Sequence, residues 1–339
     1  MPLKIVEAWE RPPVNQIAVL LYGLPATGKT TLAFSSRNPL VLDFDKGADR
    51  AANIGKSVVI TSWQDVSGIR EDDLEGIDTV IVDTVGTALE FLTIQVIKDN
   101  PKLGRDGNLH IQGYGVLKTR FIRWLNHLQS MGKDVVLIAH TMEVRRGDGD
   151  ADDQRIVATG GSKDYVLRAS DAIGHMTLSN SRRVLDFEPT DHVIGKNPGR
   201  IAAQQLPGED SIGGFLDNII VKTKARMNEE RMKNAEAVRE RQEQSAKIFD
   251  ETLQMASIDK LREIRREVGQ NHSVGEEERK RRALAVKAFA DKQGWVWDND
   301  AKSYVAPSQE SASENEETEA EREERLEREG RMMSDGMEI

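Results

Sequence analysis

The sequence predicts an α/β fold in which a doubly wound, mostly parallel sheet carries a phosphate-binding loop. From about residue 15 to about residue 221, apolar runs of strand length alternate with helical stretches, which is typical of a parallel sheet with helices on both faces. Residues 23–30 read GLPATGKT and stand between such an apolar run and a helical pattern. This is the context in which a G-x-x-x-x-G-K-[ST] motif binds phosphate.

The loop residues have distinct predicted roles. Gly23 and Gly28 let the backbone curl so that its N–H groups face one point, and the start of the following helix adds partial positive charge. Lys29 places a cation on the β- and γ-phosphates, and Thr30 is a predicted Mg²⁺ ligand. The predicted nucleotide-contacting residues are Gly23, Leu24, Pro25, Ala26, Thr27, Gly28, Lys29, Thr30 and Thr31.

The predicted core strands follow in order along the chain. They are Ile17–Tyr22, Pro39–Phe44, Val58–Thr61, Thr79–Asp83 and Asp134–His140. The strands that contain Ile81 and Val136 are almost entirely apolar, which favours central parallel strands buried on both faces. Farther on, a strand at Arg183–Phe187 and a hairpin at Asp191–Arg200 are predicted.

Acidic residues end two of these strands. Asp83 follows a buried run about fifty residues after Lys29, where a phosphate-loop enzyme needs a carboxylate for the Mg²⁺ shell; the alternative is a turn aspartate. Asp43 and Asp45 end the second strand on the same side. Asp45, nearer the strand exit, is the favoured candidate to orient or deprotonate the water that attacks the γ-phosphate. Its alternative is a cap or an ion pair.

Two more residues are candidate catalytic groups. His140 ends a buried strand and is a candidate hydrogen-bond donor to the γ-phosphate, although a structural strand-end histidine is the alternative. Lys196 lies in a Gly- and Pro-rich turn, from which a cation can reach the γ-phosphate of a neighbouring subunit; the alternative is a solvated turn. The six histidines show no metal-binding spacing, and no zinc site is predicted.

Two polar segments are candidate contacts for single-stranded DNA. Residues 142–164 are Gly-rich and follow His140, which favours a long loop gated by the nucleotide. Residues 99–114 contain Lys102, Arg105, His110 and Tyr114. Cations beside an aromatic ring suit backbone contact and base stacking. Each segment has a plain solvated loop as its alternative.

Composition predicts a cytoplasmic protein. The 339 residues include no cysteine, which excludes disulfides and thiolate metal sites. No apolar run reaches about 18 residues, so no membrane span is expected, and the N-terminus lacks a secretory signal. The formal net charge is −10, but the residues beyond Pro307 carry −8 of it. The acidic balance therefore does not argue against a nucleic-acid partner for the core.

Four segments are predicted along the chain. They are an N-terminal segment at 1–14, the phosphate-loop core at 15–223, a helical C-terminal extension at 224–306 with a small aromatic hairpin, and a disordered acidic tail at 307–339. The tail is rich in Glu and Ser and has no aromatic residue, which is the composition of a disordered segment.

Over roughly residues 15–222 the sequence resembles the RecA-like recombination ATPases, and among them the compact phage-encoded members linked to single-strand annealing. The resemblance rests on the order of the phosphate loop, the segment LDFDKGAD at 42–49, the strand Thr79–Thr84, His140 and the TGG stretch at 159–161. It implies ATP and Mg²⁺ as cofactors, Asp45 as the residue that positions water, His140 as the γ-phosphate sensor, and Lys196 near lysines that act across the subunit interface. In RecA itself the sensor is glutamine.

The leading functional expectation is a DNA-stimulated ATPase that assembles on single-stranded DNA, with ATP between adjacent subunits of a filament or ring, and promotes annealing or recombination in the host cytoplasm of a phage. The acidic tail would restrain DNA binding or contact a single-strand-binding protein. Two alternatives stay open. One is a ring-forming replication motor or helicase-loader ATPase, and the other is a nucleotide-gated adaptor without significant turnover.

Overall fold

The computed structural model describes residues 6–51, 53–144, 153–156, 162–179, 182–270 and 275–307. The chain divides into two compact units between Ala235 and Glu236. This division lies inside one long helix, as does the predicted domain boundary at residue 224, which stays a prediction. The predicted disordered tail lies outside the described residues.

Most of the strands belong to the first unit. In chain order the strands in the described ranges are β1 (Ala18–Gly23), β2 (Pro39–Asp43), β3 (Lys56–Val59), β4 (Thr79–Asp83), β5 (Gly104–Arg105), β6 (Asn108–Leu109), β7 (Asp134–Val144), β8 (Asp153–Ile156), β9 (Ala172–Ser179), β10 (Arg182–Asp186), β11 (Gln204–Gln205), β12 (Val296–Asp298) and β13 (Ser303–Val305).

The helices alternate with the strands of the core, and three of them follow one another before the last two strands. The α-helices in the described ranges are α1 (Lys29–Ala33), α2 (Gln64–Ser67), α3 (Val85–Asp99), α4 (Ile111–Ser130), α5 (Ser162–Ala169), α6 (Phe215–Gln254), α7 (Ile258–Gln270) and α8 (Glu276–Lys292). None of them has both the length and the apolar character needed to cross a membrane.

The first unit is built on one large, mostly parallel sheet. Its strand order is β11-β10-β9-β1-β7-β4-β2-β3, and β8 pairs with β7 outside this order. The strands from β9 to β3 are parallel to their neighbours, whereas β8, β10 and β11 add antiparallel pairs. The predicted doubly wound, mostly parallel α/β core is therefore confirmed.

Both faces of this sheet are covered. Successive side chains of a strand point to opposite faces, and Leu20 and Leu21 of β1 accordingly belong to two different apolar cores. Helices α3 and α4 complete the core that contains Leu20. Helix α1 and the start of α6 complete the other. The near-continuous apolar runs in the sequence reflect this burial on two sides.

The N-terminal part of α6 is fixed to the sheet by polar contacts as well. Lys224 Nζ lies 2.6 Å from Asp134 Oδ2, at the first residue of β7. The other oxygen of Asp134 accepts a hydrogen bond of 2.9 Å from the backbone N–H of Ile17. One half-buried lysine thus neutralises a carboxylate that organises the amino ends of two strands.

Several predicted elements are confirmed, and two differ. The strand at Thr79–Asp83 has the predicted bounds, and the ends of β1, β2, β3 and β10 lie within two residues of their predicted positions. Strand β7 is longer than expected, because it continues past His140 to Val144 and forms a hairpin with β8. The predicted hairpin at Asp191–Arg200 is wrong: this segment contributes one isolated bridge, between Lys196 and Ile173.

The second unit is helical with a small hairpin, as the sequence predicts. Its apolar core contains Leu253, Leu261, Val286 and Tyr304 from α6, α7, α8 and β13. The guanidinium of Arg265 lies 4.5 Å from the ring centroid of Trp297, a cation–π contact that holds the β12–β13 hairpin against α7.

Gly23, at the end of β1, allows two strands to meet closely. A Cβ added to it would lie 2.2 Å from the carbonyl oxygen of Met176 in β9. Gly23→Ala is therefore expected to lower the free energy of unfolding by about 1–3 kcal/mol, measured by urea denaturation. Gly68→Ala is the matched control, because a Cβ there meets no atom within 4 Å. Equal midpoints for the two variants would contradict the close approach.

Candidate nucleotide and magnesium site

The phosphate loop joins β1 to α1 in a tight, left-handed path. Ala26 and Gly28 have positive φ values of 63° and 87°, and the Thr27 hydroxyl donates a hydrogen bond of 3.0 Å to the carbonyl oxygen of Leu24. A positive φ is unfavourable for alanine, so the turn at Ala26 is held by its surroundings. Gly28 takes the same conformation without that penalty.

Lys29 is folded into this loop. Its Nζ donates to the carbonyl oxygens of Gly23, at 3.0 Å, and Leu24, at 2.8 Å. Burial lowers the pKa of the ammonium to about 8, although the negative charges of Asp83 and Asp45 oppose that shift. The loop thus holds a cation at its centre by carbonyl contacts that a phosphate group can replace.

Thr30 and Asp83, the two predicted Mg²⁺ ligands, lie in direct contact. The Thr30 hydroxyl donates a hydrogen bond of 2.7 Å to Asp83 Oδ2. Burial raises the pKa of Asp83 to about 6, with Asp45 and Asp43 adding repulsion, while the Thr30 hydroxyl works in the opposite direction. A divalent cation would therefore stabilise the ionised form of this buried carboxylate.

The donor set fits Mg²⁺ better than a metal held by protein groups alone. Within the described ranges, no group of three or more His, Asp or Glu side chains is placed to hold a metal ion. Mg²⁺ commonly binds through one or two carboxylates together with substrate phosphates and water. Thr30 and Asp83 would hold the ion on the protein side, and the nucleotide phosphates would complete its shell.

Asp45 and His140 form a second polar pair at the same edge of the sheet. His140 Nε2 lies 3.3 Å from Asp45 Oδ2, and the Thr84 hydroxyl donates a hydrogen bond of 3.2 Å to Asp45 Oδ1. Burial would raise the pKa of Asp45, but the hydrogen bonds from His140, Thr87 and Thr84 outweigh it and lower the pKa. The carboxylate is therefore kept ionised as an acceptor.

Asp43 has a different task from Asp45. Its two oxygens accept hydrogen bonds from the backbone N–H groups of Gly47, at 2.9 Å, and Ala48, at 3.2 Å. Asp43 therefore fixes the turn after β2. This leaves Asp45 as the carboxylate of the pair that faces His140.

The strand order explains why these groups meet. Strand β7 lies between β1 and β4, and its register places His140 level with Gly23 at the start of the phosphate loop. On the other side of β7, Asp83 is paired with Ile138. The carboxyl ends of three parallel strands therefore bring the loop, His140 and Asp83 to one edge.

Lys196 is not brought to this group. Its Nζ donates hydrogen bonds of 2.7 Å to the carbonyl oxygen of Leu167 and 2.9 Å to that of Ser170. It thus caps the end of α5 within its own chain. The predicted action on a neighbouring subunit would require it to leave these carbonyls, and that role stays a prediction.

The candidate DNA segments differ in how far they are described. In the segment at 142–164, the described residues include the end of β7 and its pairing partner β8. Arg145, Arg146 and Thr159–Gly161 lie outside the described residues. In the other segment, Lys102, Arg105 and His110 are exposed around the β5–β6 hairpin and the start of α4. Tyr114 is exposed on α4.

Sequence reasoning missed two residues near the loop. Thr84 supplies a hydrogen bond to Asp45, and its position directly after Asp83 was the available signal. Arg183 packs on Gly28: a Cβ added to that glycine would lie 3.1 Å from Arg183 Cδ. The pair is separated by more than 150 residues, and no local pattern in the sequence connects them.

The raised pKa of Asp83 predicts a conflict between stability and metal binding. The folded state favours the neutral carboxyl, so this stabilisation is present below about pH 4 and is lost as the pH rises through about 6. At pH 7.5 without Mg²⁺, Asp83→Asn should raise the free energy of unfolding by on the order of 2 kcal/mol, measured by urea denaturation. It should also lose Mg²⁺-dependent ATP binding.

The exposed Asp191→Asn is the control for this pH dependence. Its free energy of unfolding, measured by urea denaturation, should equal that of the unmodified protein at both pH 5 and pH 7.5. An Asp83→Asn variant that is less stable than the unmodified protein at pH 7.5 would contradict the assignment of a destabilising buried charge.

Comparison with known proteins agrees with this geometry. A family model described as an AAA domain matches residues 15–198. The SPβ prophage-derived uncharacterized protein YorG of Bacillus subtilis (strain 168) is 29% identical over 140 residues, which are 38% of this chain and 42% of the relative. The chain thus spans less than half the length of that curated relative.

Among solved structures, the crystal structure of the RadB recombinase is similar at 13% sequence identity and a TM-score of 0.33, over 56% of this chain and 87% of RadB. The AAA-domain model matches more than half of the present chain and includes the phosphate loop, Asp45, Asp83 and His140. The chain therefore belongs to the AAA-domain family, and the phosphate loop at its core is the one that the sequence predicts.

Proposed function

We propose that the protein hydrolyses ATP with Mg²⁺ and assembles on single-stranded DNA to promote annealing or homologous recombination in phage DNA metabolism. The observation that carries the proposal is the convergence of three groups at one sheet edge. These are Lys29 in the phosphate loop, the Thr30–Asp83 pair and the Asp45–His140 pair. The prophage origin of the curated relative supports the phage setting.

The proposed hydrolysis depends on positioning more than on proton transfer. Phosphoryl transfer passes through a loose transition state, and catalysis comes mainly from orientation and charge stabilisation. Lys29 and the Mg²⁺ held by Thr30 and Asp83 would neutralise the phosphates. The lowered pKa of Asp45 makes it a weak base. Its carboxylate would therefore orient the attacking water as a hydrogen-bond acceptor.

His140 is the proposed link between the nucleotide and the DNA segment. It contacts Asp45 and lies on β7, which continues without interruption to Val144 and pairs with β8. A γ-phosphate that draws His140 away from Asp45 would shift the strand that leads into residues 145–152. These residues belong to the proposed DNA contact at 142–164, and the binding of DNA by this segment would then depend on whether ATP is bound.

The second proposed DNA contact is the surface around the β5–β6 hairpin. Ile111 is 90% exposed and Tyr114 is 39% exposed, and the same segment contains the exposed cations Lys102 and Arg105. An aromatic side chain among cations offers a stacking surface for bases and charge for the backbone.

Self-assembly is part of the proposal, with ATP between adjacent subunits of a filament or ring in the cytoplasm of the host. A neighbouring subunit would complete the charge stabilisation, and Lys196 is the candidate cation if it is released from its carbonyls. The acidic tail would restrain DNA binding or contact a single-strand-binding protein.

Phosphate release with and without single-stranded DNA tests the proposal. The unmodified protein should release phosphate faster with DNA, and Lys29→Ala should neither bind nor hydrolyse ATP. Asp45→Asn should keep ATP binding while kcat falls by about 100-fold. ATP binding without turnover would overturn hydrolysis in favour of a nucleotide-gated adaptor.

Negative-stain images separate the two assemblies. Filaments that require DNA support recombination, whereas discrete closed rings without DNA would overturn it in favour of a replication motor or helicase loader. An ATP-dependent gain in affinity for single-stranded DNA is required in the full chain or in a variant that ends at Pro307. Its absence from both would contradict the DNA assignment.

The β5–β6 surface makes its own prediction. Tyr114→Ala should weaken binding of single-stranded DNA by at least about fivefold, because stacking on one base contributes about 1–3 kcal/mol. Arg105→Ala should lower the dependence of affinity on salt by one phosphate contact, a slope change of about 0.7. Fluorescence anisotropy with ATP measures both. Lys56→Ala, an exposed cation on β3, is the control and should leave affinity unchanged.

A further inference from the structure

Arg183 occupies a position that neither the motif nor the family match explains. It lies on β10, where alternate residues face the same side of the sheet. Leu185, two residues on, is buried in the core that also contains Leu32 and Ala33 of α1. Arg183 therefore projects from the α1 side of the sheet.

The side chain of Arg183 lies directly against the phosphate loop. A Cβ built on Gly28 would stand 3.1 Å from Arg183 Cδ and Nε and 3.4 Å from Cζ. The guanidinium group is thus stacked on the residue that precedes Lys29. A side chain at position 28 would displace it, so Gly28 provides both the left-handed turn and the space for an arginine.

The carboxylate of Glu209 pairs with the guanidinium of Arg183. Arg183 Nη1 lies 3.0 Å from Glu209 Oε1, and the two side chains are 36% and 50% exposed. The backbone N–H of Leu206 donates a hydrogen bond of 2.8 Å to the carbonyl oxygen of Arg183, which keeps the segment before Glu209 beside β10. Because exposed ion pairs contribute little to stability, this contact is easily exchanged for a stronger acceptor.

The charge balance of the site favours such an exchange. Asp45 and Asp83 converge near Lys29, whose pKa burial has already lowered. A nucleoside triphosphate brings further negative charge to this edge. An arginine beside the loop supplies a permanent cation that can donate two parallel hydrogen bonds to phosphate oxygens, a geometry that lysine lacks.

We infer that Arg183 is a nucleotide-binding residue that moves from Glu209 to the phosphates of a bound nucleoside di- or triphosphate, and that Glu209 competes with the nucleotide for it. The inference rests on the proposed ATP binding. It assigns to this chain its own second phosphate-binding cation, independent of any neighbouring subunit. Glu209 sets how much nucleotide is needed to recruit it.

A fluorescent ATP analogue titrated onto the full-length protein with Mg²⁺ tests this inference. Arg183→Ala should weaken binding by at least about tenfold, since a hydrogen bond between charged groups is lost, and Arg183→Lys should recover only part of the affinity. Glu209→Gln should tighten binding by about two- to fivefold. In the double variant, Glu209→Gln should have no effect, because the competitor acts only through Arg183.

Arg182→Ala is the matched control, because it removes an exposed arginine of β10 on the opposite face of the sheet. Urea midpoints of all variants confirm that they fold. An Arg183→Ala variant that folds and binds the analogue as tightly as Arg182→Ala would overturn the inference.

The Lys29→Ala variant separates this inference from the proposed function. Loss of binding in Lys29→Ala together with unchanged binding in Arg183→Ala would leave the ATPase proposal standing and remove the role of Arg183. Absence of nucleotide binding in the unmodified protein would overturn both. A tightening by Glu209→Gln that persists without Arg183 would overturn the competition alone.

Discussion

The hydrogen bond between Thr30 and Asp83 joins the phosphate loop to the end of β4, and the rest of the fold holds these two parts of the site together. Thr30 belongs to the phosphate loop, and Asp83 ends a strand that is separated from β1 by β7. The contact therefore spans a whole strand and requires the strand order in which β7 lies between the other two. It also requires that the strands be parallel, because only then do their carboxyl ends share an edge. The two apolar cores, one on each face, hold the strands in that order.

This arrangement concentrates unlike charges in a partly dry environment. Burial lowers the pKa of Lys29 to about 8 and raises that of Asp83 to about 6, so both groups are less stable as ions than they would be in water. Such shifted pKa values are expected at a site that binds Mg²⁺ and phosphate, because the phosphates would balance the charge of Lys29 and the metal ion would balance the charge of Asp83. Without ligand, Lys29 relies on loop carbonyls and Asp83 on one hydroxyl. The buried charges of Lys29 and Asp83 would therefore favour binding of the complete nucleotide–metal complex.

The sequence predicted the parts of this site that are encoded locally. The phosphate loop has a fixed spacing, and Asp83 and His140 follow apolar runs that form the central strands β4 and β7. What the sequence did not predict depends on contacts between distant segments. Lys196 lies in a turn-like segment, yet a backbone bridge to Ile173 and the carbonyls at the end of α5 decide where its ammonium lies. The extension of β7 beyond His140 required a pairing partner, β8, that is too polar to be recognised as a strand. Arg183 reaches Gly28 because β9 pairs with β1 and β10 folds back against β9.

The contact between Asp45 and His140 indicates that the carboxylate of Asp45 is oriented before a nucleotide binds. Hydrogen bonds from His140, Thr87 and Thr84 keep the pKa of Asp45 low despite its burial, so the carboxylate is already ionised and directed. If His140 turns toward a γ-phosphate, Asp45 loses one of these donors and gains an open acceptor position, where a water molecule can bind. The same movement would act on β7, whose hairpin with β8 begins at the next residue, Thr141. Under the proposed role of His140, one side chain would therefore couple the arrival of the γ-phosphate both to the positioning of water and to the segment that follows the strand.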